Sequence, residues 1–77
     1  MGGRGTPDLL VTLGLKVRAA RARAGLTQEE AAAASAIDVK RWQRIELGTV
    51  NATMRTLDRI ASALDTTVWQ MLCSNTK

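Results

Sequence analysis

Helix-capping residues recur along this 77-residue chain at intervals that leave room only for short helices after the first. Thr27-Gln28-Glu29-Glu30 is a capping box: the Thr27 hydroxyl takes the N–H of Glu30, and the Glu30 carboxylate returns to the N–H of Thr27. The helix it opens continues through Ala31–Ala34 and ends around Ser35-Ala36. Asp38 is placed to cap a helix over Val39–Leu47, which Gly48 closes. Thr53 caps Met54–Leu64, and Thr67, with Gln70 three residues on, caps a short last helix carrying Val68, Met71 and Leu72. Ahead of the capping box a helix runs to Ala24 and stops at Gly25. Its start is open between two points. One is Thr6-Pro7-Asp8, with Thr6 as N-cap and Pro7 at the first helical position; the other is near Thr12, because Gly14 interrupts the pattern. Short helices joined by short links predict an all-α, compact five-helix orthogonal bundle and no long coiled coil.

Composition agrees. Hydrophobic residues make up 45% of the chain, yet Trp42 and Trp69 are the only aromatics, which favours helices over strands. The predicted core is Leu13, Val17, Ala20 and Ala24, then Trp42 and Ile45, then Met54, Leu57, Ile60, Ala61 and Leu64, each set at helical spacing. The length suits one domain over 1–77, with residues 1–6 as a flexible arm and 73–77 as a frayed tail. No apolar run reaches the roughly 20 residues of a membrane span. Histidine is absent, and the single Cys73, expected to be partly buried, cannot form an internal disulfide or a Cys-rich metal site. Catalysis, metals and cofactors are therefore not expected. A net charge of +4 favours an anionic partner without specifying one.

The third helix is more specific. With Trp42 and Ile45 facing inward, Lys40, Arg41, Gln43 and Arg44 are left outside. A helix carrying that set suits the major groove of DNA: Arg and Lys donate to guanine O6 and N7, and Gln bonds adenine bidentately. Lys16, Arg18 and Arg23 on the first helix read as a solvated face, and Arg4 as part of a loose arm.

From Leu13 to Leu72 the sequence resembles the Xre/Cro-type helix-turn-helix family of phage-repressor-like regulators. The resemblance rests on Leu13-Gly14, Val17-Arg18 and Arg21, then Gly25-Leu26-Thr27-Gln28-Glu29-Glu30-Ala31-Ala32. It continues through Ile45-Glu46-Leu47-Gly48, Asn51-Ala52-Thr53, Thr56-Leu57, Arg59-Ile60-Ala61, Ala63-Leu64 and Met71-Leu72. It implies a DNA-binding regulator of bacterial or phage cytoplasm. Thr27 and Gln28 would then meet phosphate at the second helix's N-terminus. Val39, Lys40 and Arg44 would read bases, with Gln43 beside them, while Arg41 would serve a base or a phosphate. Asn51 and Arg55 would touch the DNA backbone, and Arg21 and Glu46 would form a buried structural ion pair. The sequence departs from the family pattern in three places. Ala36 stands where a turn glycine is usual. Ala31 and Ser35 are small where leucine is usual, opposite a large Trp42, which suggests an exchange of volume. Asp65 replaces the glycine that often ends the fourth helix.

Trp69 occupies a position that the family usually keeps polar. Beside Val68 and Leu72 it suggests a homodimer interface, so that two recognition helices read a pseudo-palindromic operator with half-sites about 34 Å apart. With no sensor segment, no small-molecule ligand is expected, and the compact design resembles the controller proteins of restriction-modification systems. The alternative is a protein-interaction module on the same fold, of the antitoxin or anti-repressor kind.

Overall fold

The computed structural model describes residues 5–73. Among these residues the chain forms five α-helices and no strand: α1 Gly5–Ala24, α2 Gln28–Ser35, α3 Val39–Leu47, α4 Met54–Ala63 and α5 Val68–Cys73. The starts follow the capping chemistry. The Thr27 hydroxyl accepts from the Glu30 N–H at 3.0 Å, and the Thr27 N–H donates to the Glu30 carboxylate at 2.9 Å. Asp38, Thr53 and Thr67 accept from the backbone N–H of Lys40, Thr56 and Gln70 respectively. α2 ends on Ala36 at φ 58°, ψ 43°, a left-handed conformation that costs an L-residue with a Cβ about 1–2 kcal/mol. Arg59 of α4 donates to the Ala36 carbonyl at 3.0 Å, placing a cation on the negative end of α2. Asp65 also takes positive φ, in the turn after α4.

α1 packs on α3 and α5, α2 on α3 and α4, and α4 on α5. The α1–α3 crossing explains why a glycine breaks the apolar stripe of α1. Gly14 is buried, and a Cβ built there would fall 2.6 Å from the Ile45 carbonyl oxygen and closer still to that of Glu46. At the same crossing Gly48, at φ 78°, ends α3 where a Cβ would lie 2.7 Å from the Val11 Cα. These two glycines let the backbones touch, so Gly14 marks a contact point inside a continuous helix.

The core consists of Val17 and Ala20 from α1, Ala31 and Ala32 from α2, Trp42 and Ile45 from α3, Leu57, Ile60 and Ala61 from α4, Leu64, and Met71 from α5. Leu13, Val68 and Leu72 pack against it, half-buried. Trp42 is fully buried in the same interior as the small Ala31 and Ser35.

Several expectations need correction. α1 begins at Gly5, so Thr6 lies inside the helix and does not cap it, and the arm over 1–6 is helical at Gly5 and Thr6. Residues 1–4, with Arg4, fall outside the described residues, as do 74–77. Met54 is 65% exposed because it is the first residue of α4, at the open end of a stripe that reaches the core only from Leu57. Ala24, the last residue of α1, is exposed where the chain turns away at Gly25. Cys73 belongs to α5 instead of the tail, and it is exposed, not partly buried.

Gly14→Ala forces the α1 and α3 backbones apart at their crossing. Denaturant unfolding is expected to show a loss of about 1–3 kcal/mol, despite alanine's better helix propensity. An unchanged or raised midpoint would mean that the crossing relaxes freely.

Candidate nucleic-acid interface

α3 is held by one face and offers the other. Toward the interior it presents Trp42 and Ile45, both buried, and Glu46, only 8% exposed. A buried carboxylate is costly unless its oxygens are fully bonded. Here the Arg21 Nε donates to Glu46 Oε2 at 2.6 Å and its Nη2 to Oε1 at 3.2 Å, a bidentate pair. The Trp42 indole Nε1–H donates to Oε2 at 2.7 Å, and the Gln28 Nε2 to Oε1 at 2.9 Å. Arg21 spends its Nη1 on the Leu26 carbonyl at 3.0 Å, fastening the link between α1 and α2. Among the described residues no buried side-chain nitrogen or oxygen lacks a partner.

This arrangement sets the ionisation of Glu46. Burial alone would raise its pKa, but hydrogen bonds from Arg21, Gln28 and Trp42, with the charge of Arg21, outweigh that. The carboxyl is held below its ordinary value. The bond to Glu46 in turn raises the pKa of Arg21 above its ordinary value, against the opposing effect of burial.

On the outer face Lys40, Arg41 and Arg44 are exposed. Val39 is half-buried and packs against the core, so only its edge is outward. Gln43 is not fully outside as expected. It is half-buried, and its Nε2 donates to Gln28 Oε1 at 3.3 Å. Gln28, expected to reach a phosphate, is likewise half-buried and bonded to both Glu46 and Gln43. Thr27 is exposed at the N-terminus of α2, with its hydroxyl occupied by the cap. Asn51 is exposed in the link before α4, its side-chain oxygen accepting from the Ala52 N–H at 3.1 Å, and Arg55 is exposed in the first turn of α4. Val68 and Leu72 are half-buried on α5, while Trp69 between them is 75% exposed.

Sequence reasoning missed the indole bond to Glu46, the Gln28–Gln43 contact and the Arg59 bond to Ala36. The first left a signal, because Trp42 and Glu46 are four apart and share a side of α3. The other two join residues distant in the chain and left none.

A carboxyl held below its unfolded pKa adds stability above the unfolded value, and that stability is lost as pH falls through the folded value. The thermal midpoint is therefore expected to fall below about pH 4. Glu46→Gln is expected to be less stable at neutral pH, with a shallower loss on acidification. Equal acid slopes in the variant and the parent would exclude Glu46 as a source of the acid response.

Residues 12–70 match the family model described as "Helix-turn-helix domain". Several solved structures match, two of them over most of their own length. The restriction-modification controller protein C.AhdI from Aeromonas hydrophila superposes with a TM-score of 0.80 at 30% identity, covering 83% of this chain and 97% of its own. The clp gene regulator ClgR from C. glutamicum superposes with a TM-score of 0.82 at 28% identity, covering 91% of this chain and 90% of its own. A search of curated proteins found no match.

Proposed function

The chain belongs to this helix-turn-helix family, and on that premise we propose that it is a sequence-specific, DNA-binding transcriptional regulator that acts as a homodimer. α3 enters the major groove, with Val39, Lys40, Gln43 and Arg44 toward base edges and Arg41 toward a base or a phosphate. Thr27, Gln28, Asn51 and Arg55 meet the DNA backbone. The observation that carries this reading is the two-sidedness of α3. Its inner face is anchored through Trp42, Ile45 and Glu46, and Lys40, Arg41 and Arg44 are left exposed on a rigid nine-residue rod. Of the two similar structures, one is named a restriction-modification controller and the other a clp gene regulator. The two belong to different systems, and each is a regulatory protein. A controller-type, autoregulatory role for this chain fits that common ground.

The homodimer reading rests on α5. Trp69 leaves three-quarters of its surface exposed beside Val68 and Leu72, and Leu72 also lines a groove of about 460 Å³ with Leu9, Leu10 and Leu13 of α1. An exposed indole on the same short helix as a groove-lining leucine suits an interface core. Two copies joined there would present two recognition helices to one face of the duplex. Trp69→Glu is expected to sediment as a monomer and to lose most of its DNA affinity. A dimeric variant with full affinity would move the interface elsewhere.

DNA recognition itself is tested by fluorescence anisotropy. The probes are a duplex from upstream of the protein's own gene and a scrambled duplex, each at two salt concentrations. Preference for the former by a factor of about 10³ or more is expected, with affinity falling steeply as salt rises. Weak, equal binding to both, together with a stable protein partner in pull-down, would favour an antitoxin-like interaction module instead.

A further inference from the structure

The chain of side chains that begins at Glu46 does not stop inside the protein. It passes through Gln28 and ends on Gln43, at the border of the exposed face of α3. At about 100° per residue, Gln43 lies about 60° round the helix from both Glu46 and Lys40, midway between the anchored face and the outward one. Each link has a chemical polarity. An ionised carboxylate only accepts hydrogen bonds, so Gln28 must turn its NH₂ group to Glu46, as the 2.9 Å contact has it. That leaves the Gln28 oxygen facing Gln43, and an oxygen again only accepts, so Gln43 must turn its NH₂ group inward, at 3.3 Å. Flipping either amide sets oxygen against oxygen. The orientation of both amides is thus dictated from Glu46 outward.

We propose that Gln28 is a positioning residue that holds the Gln43 amide in one orientation and so makes Gln43 a reader of adenine. The inference rests on the proposed entry of α3 into the major groove. A free glutamine on a recognition helix can turn its amide over and adapt to a donor or an acceptor, and so discriminates poorly. Gln43, with one N–H committed to Gln28, retains an oxygen and a second N–H in fixed order. That order matches the N6 donor and N7 acceptor of adenine, whereas guanine offers two acceptors on the same edge. A flip to suit another base breaks the contact with Gln28, so the wrong base is penalised. Gln28 thereby governs specificity at one base position without touching the base.

The test is selection from a pool of randomised DNA duplexes, using the full chain at fixed ionic strength. It compares the unmodified protein with Gln43→Ala and Gln28→Met, with folding checked by circular dichroism. Methionine keeps the length of Gln28 and removes its hydrogen bonds, leaving Arg21 and Trp42 on Glu46. The unmodified protein is expected to select a motif with one adenine-preferring position in each half-site, favoured about tenfold or more. Both variants are expected to lose that preference and retain the remainder of the motif. Should Gln28→Met weaken binding to all sequences alike and keep the adenine, Gln28 is only a backbone or folding contact and the proposal is overturned. If that variant does not fold, Gln43→Ala decides: an unchanged motif overturns the proposal. A pool from which the unmodified protein selects no motif overturns the DNA-binding reading itself, an outcome distinct from a motif the variants leave intact.

Discussion

The pairing of Arg21 with Glu46 is the contact on which the arrangement of the other elements depends. A carboxylate 8% exposed survives in the interior only because a bidentate guanidinium, an indole N–H and an amide together satisfy it. Each donor comes from a different place: Arg21 from α1, Gln28 from the start of α2, Trp42 from the preceding turn of α3 itself. Arg21 also holds the Leu26 carbonyl, so one cation ties the end of α1 to the α1–α2 link and to α3. Such a pair contributes less to net stability than its geometry suggests, since desolvating both charges offsets much of their attraction. Its larger effect is to fix how α3 is rotated about its own axis.

That rotation decides what α3 can do. With Trp42, Ile45 and Glu46 committed inward, Lys40 and Arg44 are directed outward by helical geometry alone, without a loop to aim them. The glycines at the α1–α3 crossing serve the same end by backbone contact. Gly14 admits the last turn of α3 against α1, and Gly48 ends the helix there before it would run into Val11. A small chain with few large side chains thus gains rigidity from close backbone approach and a saturated polar cluster, not from bulk.

Much of this was legible in the chain itself. Threonine and aspartate caps, glycine stops and apolar residues at helical spacing mark α2 to α5 and the end of α1 to within a residue or two, because these are local interactions between near neighbours; the start of α1 stayed open. Where local signals conflicted, the reading faltered. Gly14 looked like an interruption of α1 and is a crossing point. Met54 looked apolar enough for the core and lies beyond its edge. Ala36 was legible as an alanine in the place of a turn glycine, but not the Arg59 side chain that bonds its carbonyl.

The sequence by itself therefore determined the helices, their short links, and the basic outer face of α3, since capping, periodicity and charge act over one or two turns. Only the tertiary structure decided which polar groups meet. Gln28 and Gln43 are 15 residues apart, and Arg59 and Ala36 are 23 apart. Nothing in a linear pattern says that one amide will be turned by a carboxylate on another helix. The burial of Glu46 forces every nearby donor toward it, and that constraint exists only once α1, α2 and α3 are packed together.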